Sequence, residues 1–166
     1  MIVPKKITIL DDQKIKWEGI TDFPELYKYM KLYLEDIGYA NERDLERKYI
    51  ERVKPEGKKQ LEIKWHSKKK KSEFFEYNID MTILILGMSE VEIEKEGVKR
   101  KMQKGIFEMR ISSYITTTDK WDELKGLQRL YYDLTIRKRI DEYKLELYKK
   151  STGFHSYVKD FLGLRD

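Results

Sequence analysis

The sequence predicts an α+β fold in which about six mostly antiparallel strands form a curved sheet against a long C-terminal helix. Two segments, 75–85 and 107–115, alternate apolar and polar residues, a period of two that is typical of strands with one buried face. After Thr118 the apolar residues recur at spacings of three and four, which indicates helix. Antiparallel sheets often leave one face in water, so we expect the helix to cover the other face within a single domain of residues 1–166.

The first 40 residues predict a short strand or hairpin followed by one helix. An alternating pattern runs on both sides of a turn at positions 11–13, through Ile7, Ile9, Ile15 and Trp17. Thr21 or Asp22 can cap a helix that has Pro24 in its first turn, and Gly38 can end that helix. The apolar residues between them follow helical spacing and are Phe23, Leu26, Tyr27, Met30, Leu34 and Ile37.

The middle of the chain predicts two hairpins. The turn 54–57 contains proline and glycine and reverses the chain from a strand at Tyr49 into a strand ending near Trp65. A run of four lysines, 68–71, separates this hairpin from the central strand. After the central strand and Gly87, alternation at Val91 and Ile93 and the turn at Glu96 and Gly97 indicate a charged hairpin, which leads through Val98 and Met102 into the last strand.

The C-terminal segment predicts a helix of about 30 residues, because neither proline nor glycine occurs between Leu127 and Thr152. Its first apolar stripe, expected to face the sheet, consists of Leu124, Leu127, Tyr131 and Leu134. A second stripe lies on roughly the opposite side and consists of Tyr132, Ile136, Ile140, Tyr143 and Leu147. Either the helix bends near Thr135, or the second stripe packs on another partner. We favour a short final helix after Gly153 over a second copy of the protein.

Composition limits the class of protein. Hydrophobic residues make up 40% and charged residues 39%, which suits a filled core under a dense ionic surface. The absence of cysteine excludes disulfides, thiolate nucleophiles and zinc–thiolate sites, and fits a cytoplasmic location. No apolar run reaches about 18 residues, so no transmembrane segment is predicted. Abundant lysine and glutamate with scarce asparagine and glutamine are typical of a thermophile, or equally of an AT-rich genome.

The sequence contains no motif that assigns a catalytic or metal site. His66 and His155 are the only histidines and lack a metal-ligand spacing, so no metal is predicted. Asp80, on the polar side of the central strand near Glu108 and Arg110, fits either an acid–base pair or a set of cross-strand ion pairs, and we expect the ion pairs. Glycine-rich nucleotide loops are absent from the sequence. We therefore assign no catalytic residue and no cofactor, and we expect a non-enzymatic role.

The order of elements resembles the START-like, or helix-grip, superfamily: a strand, a helix, antiparallel strands, and a long C-terminal helix that opens at Asp119-Lys120-Trp121. The Tyr-x-Ile-x-Met-x-Ile stretch from Tyr77, with Gly87, Gly97 and Gly105, also looks like an uncharacterised archaeal protein family. Members of the superfamily commonly hold lipids or other hydrophobic molecules between sheet and helix, and some bind proteins. The resemblance implies a small binding module.

Three functions follow as hypotheses. The first is a hydrophobic or amphipathic ligand held between sheet and helix by Tyr77, Ile79, Met81, Phe107, Met109, Ile111, Leu127, Tyr131 and Leu134. The second is contact with nucleic acid or an anionic surface, consistent with a net charge of +5, through Trp65, Lys68, Lys69, Lys70 and Lys71. The third is a homodimer formed through part of the second helix stripe, Ile136, Ile140, Tyr143 and Leu147.

Overall fold

A computed structural model describes residues 3–40 and 45–164 of the chain. These residues form β1 (Lys6–Thr21), α1 (Phe23–Asp36), β2 (Glu46–Val53), β3 (Lys59–Lys70), β4 (Phe75–Lys95), β5 (Val98–Thr117), α2 (Asp119–Asp122), α3 (Gly126–Arg137) and α4 (Ile140–Phe161). The strands make one antiparallel sheet in the order β1-β5-β4-β3-β2. The α+β class is confirmed, with five strands in the described part of the chain where about six were predicted.

One face of the sheet packs against the helices and the other is in water. Along β4, alternate side chains over positions 75–85 are buried, as the period of two predicted. In β5, Ser113 points the same way and donates a buried hydrogen bond of 3.0 Å to Ser151 of α4. We call this side the helix face. The opposite side, which carries Asp80 and Arg110, is the outer face.

The predicted N-terminal helix is confirmed as α1. Its N-cap is Asp22, whose carboxylate accepts a 3.0 Å hydrogen bond from the backbone N–H of Glu25. After its end, Gly38 adopts a φ of +78°, the left-handed conformation that glycine tolerates best. Phe23 stacks on Phe107 with ring centroids 6.3 Å apart, so the start of α1 is fixed on the helix face.

The predicted turn at positions 11–13 is wrong, because β1 runs through it as a continuous strand paired to β5. The register shifts between Thr8 and Gln13, which is the signature of bulges. At the bulge Asp12 has a φ of +49°, its N–H donates to the Ser112 hydroxyl at 2.9 Å, and its carboxylate pairs with Arg110 at 2.6 Å. Polar residues that suggested a turn therefore serve as an edge irregularity, and the expected hairpin is a single strand.

The predicted long C-terminal helix is three helices, so its expected continuity is also wrong. Gly126, with a φ of +63°, starts α3 at an angle that an L residue rarely adopts. The chain breaks again at 138–139, three residues beyond Thr135, where a bend was one of the two alternatives. The expected separate final helix is part of α4, which runs through Gly153. A Cβ on that glycine would lie 2.9 Å from the Tyr33 hydroxyl, so its lack of a side chain lets α1 and α4 approach closely.

The first apolar stripe does not face the sheet as expected, whereas the second is buried within the chain, which was the favoured alternative. The side chains of Ile136, Ile140 and Leu147 are buried, so most of the second stripe is internal to one chain. Of the first stripe, Leu127, Tyr131 and Leu134 on α3 are exposed. The reason is that α3 docks through its other side, where the Tyr132 ring lies 4.9 Å from the ring of Phe74 in the loop before β4.

Candidate functional site

A pocket of about 670 Å³ opens between the start of α1 and strands β2, β3 and β4. Its size falls in the range of typical small-molecule sites, roughly 300–1,000 Å³. Apolar side chains from four elements make its floor and walls: Phe23, Tyr27, Tyr49, Leu61, Ile63, Ile85 and Met88. We call it the α1 pocket. It lies on the helix face, beside the packed core.

A bulge in β4 shapes one side of the α1 pocket. The pairing with β5 shifts between Leu86 and Ser89, and Gly87 takes a φ of +60° there. Across the bulge, a Cβ on Gly105 would lie 3.2 Å from the Leu86 carbonyl oxygen and 3.4 Å from the Phe23 ring. A side chain at this position would therefore push α1 and β4 apart. The two glycines bring the bulge and the start of α1 together.

The start of α1 is held at the pocket by a side chain of β5. The Gln103 side-chain oxygen accepts a 3.1 Å hydrogen bond from the backbone N–H of Phe23, one of the first helical N–H groups that lack a partner within the helix. The amide of Gln103 also lines the pocket. One polar side chain thus positions the helix and faces the cavity.

Aromatic rings form the wall between α1 and β2. Tyr27 packs edge-on to Tyr49, with centroids 6.1 Å apart, and tilted against Trp65 at 5.4 Å. The hydroxyl of Tyr27 donates to Glu46, which also accepts from the Trp65 indole N–H at 3.2 Å. Burial raises the pKa of Tyr27 well above its ordinary value, and the hydrogen bond and charge of Glu46 add to this. The Tyr27 hydroxyl therefore stays protonated, and the Glu46 carboxylate holds the rings of Tyr27 and Trp65 in place.

Charged and polar groups surround the mouth of the pocket. Glu51 and Lys59 form an ion pair of 3.2 Å between β2 and β3, and both line the cavity. Ser89 and Glu90 contribute from β4 beyond the bulge. An apolar floor under a rim of donors and acceptors fits a molecule with one apolar end and one polar end.

The nine residues predicted to hold a ligand fall into two separate sets. The six from the sheet, Tyr77, Ile79, Met81, Phe107, Met109 and Ile111, are at most 1% exposed and belong to the packed core. The three from α3, Leu127, Tyr131 and Leu134, are exposed instead. None of the nine lines the α1 pocket or a smaller cavity of about 210 Å³ near Trp121. The structure does not bring the two sets together around a cavity.

The four lysines predicted to contact nucleic acid alternate between the two faces. Lys68 lies on the outer face and pairs with Glu76 at 3.0 Å, and Lys70 is exposed on the same side. Lys69 donates weakly to a backbone carbonyl and lies 5.0 Å from the ring of Tyr39. Lys71 pairs with a carboxylate of α4 at 2.7 Å. Trp65, the fifth residue of that prediction, is buried, so the five side chains do not form one surface.

Lys71 belongs to a polar cluster under α4. Glu146 accepts from Lys71 at 2.7 Å and from the Tyr77 hydroxyl at 3.0 Å. Burial acts to raise the pKa of Glu146, but these two hydrogen bonds and the nearby lysine charges outweigh it and hold the pKa below its ordinary value. Burial, followed by the bond to Glu146, raises the pKa of Tyr77. The cluster joins the β3–β4 loop, the sheet and α4.

On the outer face, Asp80 bridges two neighbours. One carboxylate oxygen contacts the Nδ1 atom of His66 on β3, and the other accepts a 2.9 Å hydrogen bond from Tyr114 on β5. Burial and the bond to Asp80 raise the pKa of Tyr114 to about 12. A carboxylate in this position orients the imidazole as in many general bases. The group lies on an open sheet face outside the α1 pocket, which favours cross-strand pairing as its role.

Sequence reasoning missed the α1 pocket because its lining residues look like ordinary core. Phe23 and Tyr27 belong to a helical stripe, and Tyr49 and Leu61 belong to an ordinary hairpin. One usable signal was Gly87, since a glycine inside a strand often marks a bulge or a close approach of two backbones. That signal locates an irregularity, but it does not predict a cavity.

Comparison of the chain with known protein families and with curated proteins does not assign it to a family. No family model matches the chain, and no curated protein matches it at a significant level. Within the described residues, no three histidine, aspartate or glutamate side chains are grouped as metal ligands. None of the helices that the structure describes combines the length and hydropathy needed to cross a membrane. What the chain shows is an antiparallel sheet packed against helices, an arrangement compatible with a helix-grip fold.

Proposed function

We propose that the protein is a non-enzymatic binding module that holds an amphipathic small molecule in the α1 pocket. The observation that carries the proposal is the cavity itself, about 670 Å³ with an apolar floor and a polar rim. The resemblance to helix-grip proteins supports it, because their ligands also lie between a sheet and a helix. In this chain the helix concerned is α1, whereas the sequence had suggested the C-terminal helix.

The ligand's apolar end would lie on Leu61, Ile63 and Ile85, whose side chains are almost fully buried. Its polar end would meet Glu51, Lys59 and the Gln103 amide at the mouth. Removing an apolar group from water contributes about 25 cal/mol for each Å² buried, so the floor supplies the affinity and the rim supplies the orientation.

The test is binding of an aromatic amphipathic anion, anilinonaphthalene sulfonate, followed by fluorescence. Tyr49→Ala opens the aromatic wall and should weaken binding by roughly tenfold, since an aromatic contact contributes about 0.5–1.5 kcal/mol beyond its buried area. Leu61→Trp places a larger side chain on the floor and should weaken binding further. Both variants are first checked for unchanged folding by circular dichroism.

The chain offers a closely matched control. Tyr49 is 48% exposed and Tyr148 on α4 is 49% exposed, but only Tyr49 lines the pocket. Tyr148→Ala should therefore leave binding unchanged. If Tyr49→Ala and Leu61→Trp bind the probe as tightly as the wild type, the ligand does not occupy the α1 pocket.

A second candidate function is contact with nucleic acid or an anionic surface through the outer face. Basic residues on that face of β2 and β3 outnumber the acids there, Glu62 on β3 with Glu76 and Asp80 on neighbouring β4, and they are Lys48, Arg52, Lys64, Lys68 and Lys70. Binding of a single-stranded oligonucleotide should then weaken steeply with salt. The double substitution Lys64→Ser and Lys70→Ser should weaken it, and the same change at Lys99 and Lys101 should not.

A further inference from the structure

No residue within 3–40 or 45–164 covers the apolar stripe of α3. Four large side chains recur at spacings of three and four, and each is more than half exposed: Leu127 at 86%, Leu130 at 57%, Tyr131 at 65% and Leu134 at 52%. Scattered apolar residues are normal on a protein surface, but a contiguous helical stripe of this kind marks an interaction surface. We call these four residues the α3 stripe.

Charges of opposite sign lie at the two ends of the α3 stripe. The exposed residues just before α3 carry a net charge of −1, because Asp119, Asp122 and Glu123 outnumber Lys120 and Lys125. Those at its end carry a net charge of +1, because Arg137, Lys138 and Arg139 outnumber Asp141 and Glu142. A helix that lies on an anionic membrane has basic residues around its apolar face, and acids at one end would be repelled by that surface. The charges therefore disfavour a lipid surface and favour a partner whose charges run in the opposite direction.

We infer that the α3 stripe is the interface of a symmetric homodimer, in which α3 pairs antiparallel with α3 of a second copy. A two-fold axis between Leu130 and Tyr131 sets Leu127 against Leu134 of the second copy, and the reverse. By position along the chain, the same axis sets Glu123 against Lys138 of the second copy. One symmetry operation thus satisfies both the apolar stripe and the charges, as an isologous interface requires.

The expected dimer is weak. The helix α3 has 12 residues and is about 18 Å long, so a pair of such helices forms an interface at the small end of the known range. We expect a dissociation constant on the order of micromolar, typical of transient association. The inference is independent of the ligand proposal, because no residue of the α3 stripe lines the α1 pocket.

The first test is sedimentation velocity of the full chain over a range of concentrations, with Leu130→Asp as the variant. Two copies of residue 130 meet near the axis, so the substitution places two like charges in an apolar contact. The dissociation constant should rise by at least ~30-fold, the effect of losing an interface hot spot. Because Leu130 is exposed in one chain, thermal unfolding of the monomer should not change. Val53→Asp, at another exposed apolar site in β2, is the control and should leave the dimer intact.

The second test addresses the charges and cannot be explained by misfolding. Glu123→Lys and Lys138→Glu should each weaken self-association, because each variant sets like charges against one another across the axis. An equimolar mixture of the two variants should recover dimers, since opposite charges then meet at both ends. No homodimer that uses other surfaces predicts this recovery.

Three results would overturn the inference. The wild-type chain could remain monomeric up to ~1 mM, which lies above the range expected for an interface of this size. Leu130→Asp could dimerise as well as the wild type. A monomer that sediments with vesicles of anionic phospholipid, and loses that binding in Leu130→Asp, would assign the α3 stripe to a membrane surface instead.

Discussion

Two partly exposed carboxylates, those of Glu46 and Glu146, each accept two hydrogen bonds. One comes from a tyrosine hydroxyl, and the other comes from a side chain outside the element that carries the tyrosine. Glu46 accepts from Tyr27 and Trp65, and Glu146 accepts from Tyr77 and Lys71. Hydrogen bonds to a charged acceptor contribute more than neutral ones, about 1.5–3 kcal/mol when well formed. These contacts give the hydroxyls of Tyr27 and Tyr77 a charged acceptor where their rings pack against neighbouring elements.

The Glu146 cluster predicts a pH dependence of folding stability. The pKa of the Glu146 carboxylate is lower in the folded state than in the unfolded chain. The folded state therefore binds a proton at this carboxylate less readily than the unfolded chain does. The stabilisation is therefore fully present above the unfolded pKa, about 4.3, and is lost as pH falls through the folded pKa. Glu146→Gln should destabilise the protein by about 1 kcal/mol near neutral pH, a value reduced for partial exposure.

The measurement is urea unfolding of wild type and Glu146→Gln between about pH 7 and about pH 3. The difference in the free energy of unfolding should shrink as the pH falls. Glu142→Gln, on the exposed side of the same helix, is the control and should have no such effect. A difference that stays constant over the whole range would show that the charge of Glu146 does not contribute.

At the scale of elements, the sequence predicted the β4–β5 pair and α1 well. Alternation of apolar and polar residues over 75–85 indicates a strand with one buried face, independently of which strands pair with it. The start of α1 is likewise defined by nearby residues, because Asp22 caps it. The break at 138–139 could not be predicted in the same way. Neither glycine nor proline marks it, and it depends on how Ile136 and Ile140 reach the core from two helices.

The same limit explains why the exposed stripe of α3 was wrongly expected to face the sheet. Periodicity shows that α3 has an apolar side at Leu127, Tyr131 and Leu134, but it does not show which side faces the sheet. The choice is made by contacts distant in sequence, such as Phe74 against Tyr132. The α1 pocket was missed for a related reason. A cavity forms where side chains from several elements leave space between them, and the sequence of one element does not show that space.

The β4 bulge gives an element-scale prediction. Gly105→Ala adds a Cβ 3.2 Å from the Leu86 carbonyl oxygen and 3.4 Å from the Phe23 ring, in a place where backbone must move to make room. We expect a loss of about 1–3 kcal/mol in the free energy of unfolding, as for other overpacked sites. Probe binding in the α1 pocket should weaken as well, because Phe23 lines it.

Urea unfolding and the fluorescence titration measure both effects of Gly105→Ala. Lys104→Ala, at the exposed neighbouring position, is the control and should change neither quantity appreciably. A Gly105→Ala protein with wild-type stability and wild-type probe binding would contradict the close approach of the bulge and α1.

For the whole molecule, the proposed ligand site and the proposed surface for self-association lie on different parts of one scaffold. The α1 pocket is built from α1 and the strands, whereas the α3 stripe lies on a C-terminal helix and includes none of the pocket residues. The two properties should therefore respond independently to substitution. Leu130→Asp should keep probe binding, and Leu61→Trp should keep the dimer.

Native mass spectrometry of the purified full chain, before and after mixing with anilinonaphthalene sulfonate, tests the existence of the α1 pocket ligand most directly. We expect one added mass per chain in the wild type and in Tyr148→Ala, and its loss in Leu61→Trp. A wild-type chain that carries no added mass in either condition, or a Leu61→Trp chain that carries the same mass, would contradict a ligand in the α1 pocket.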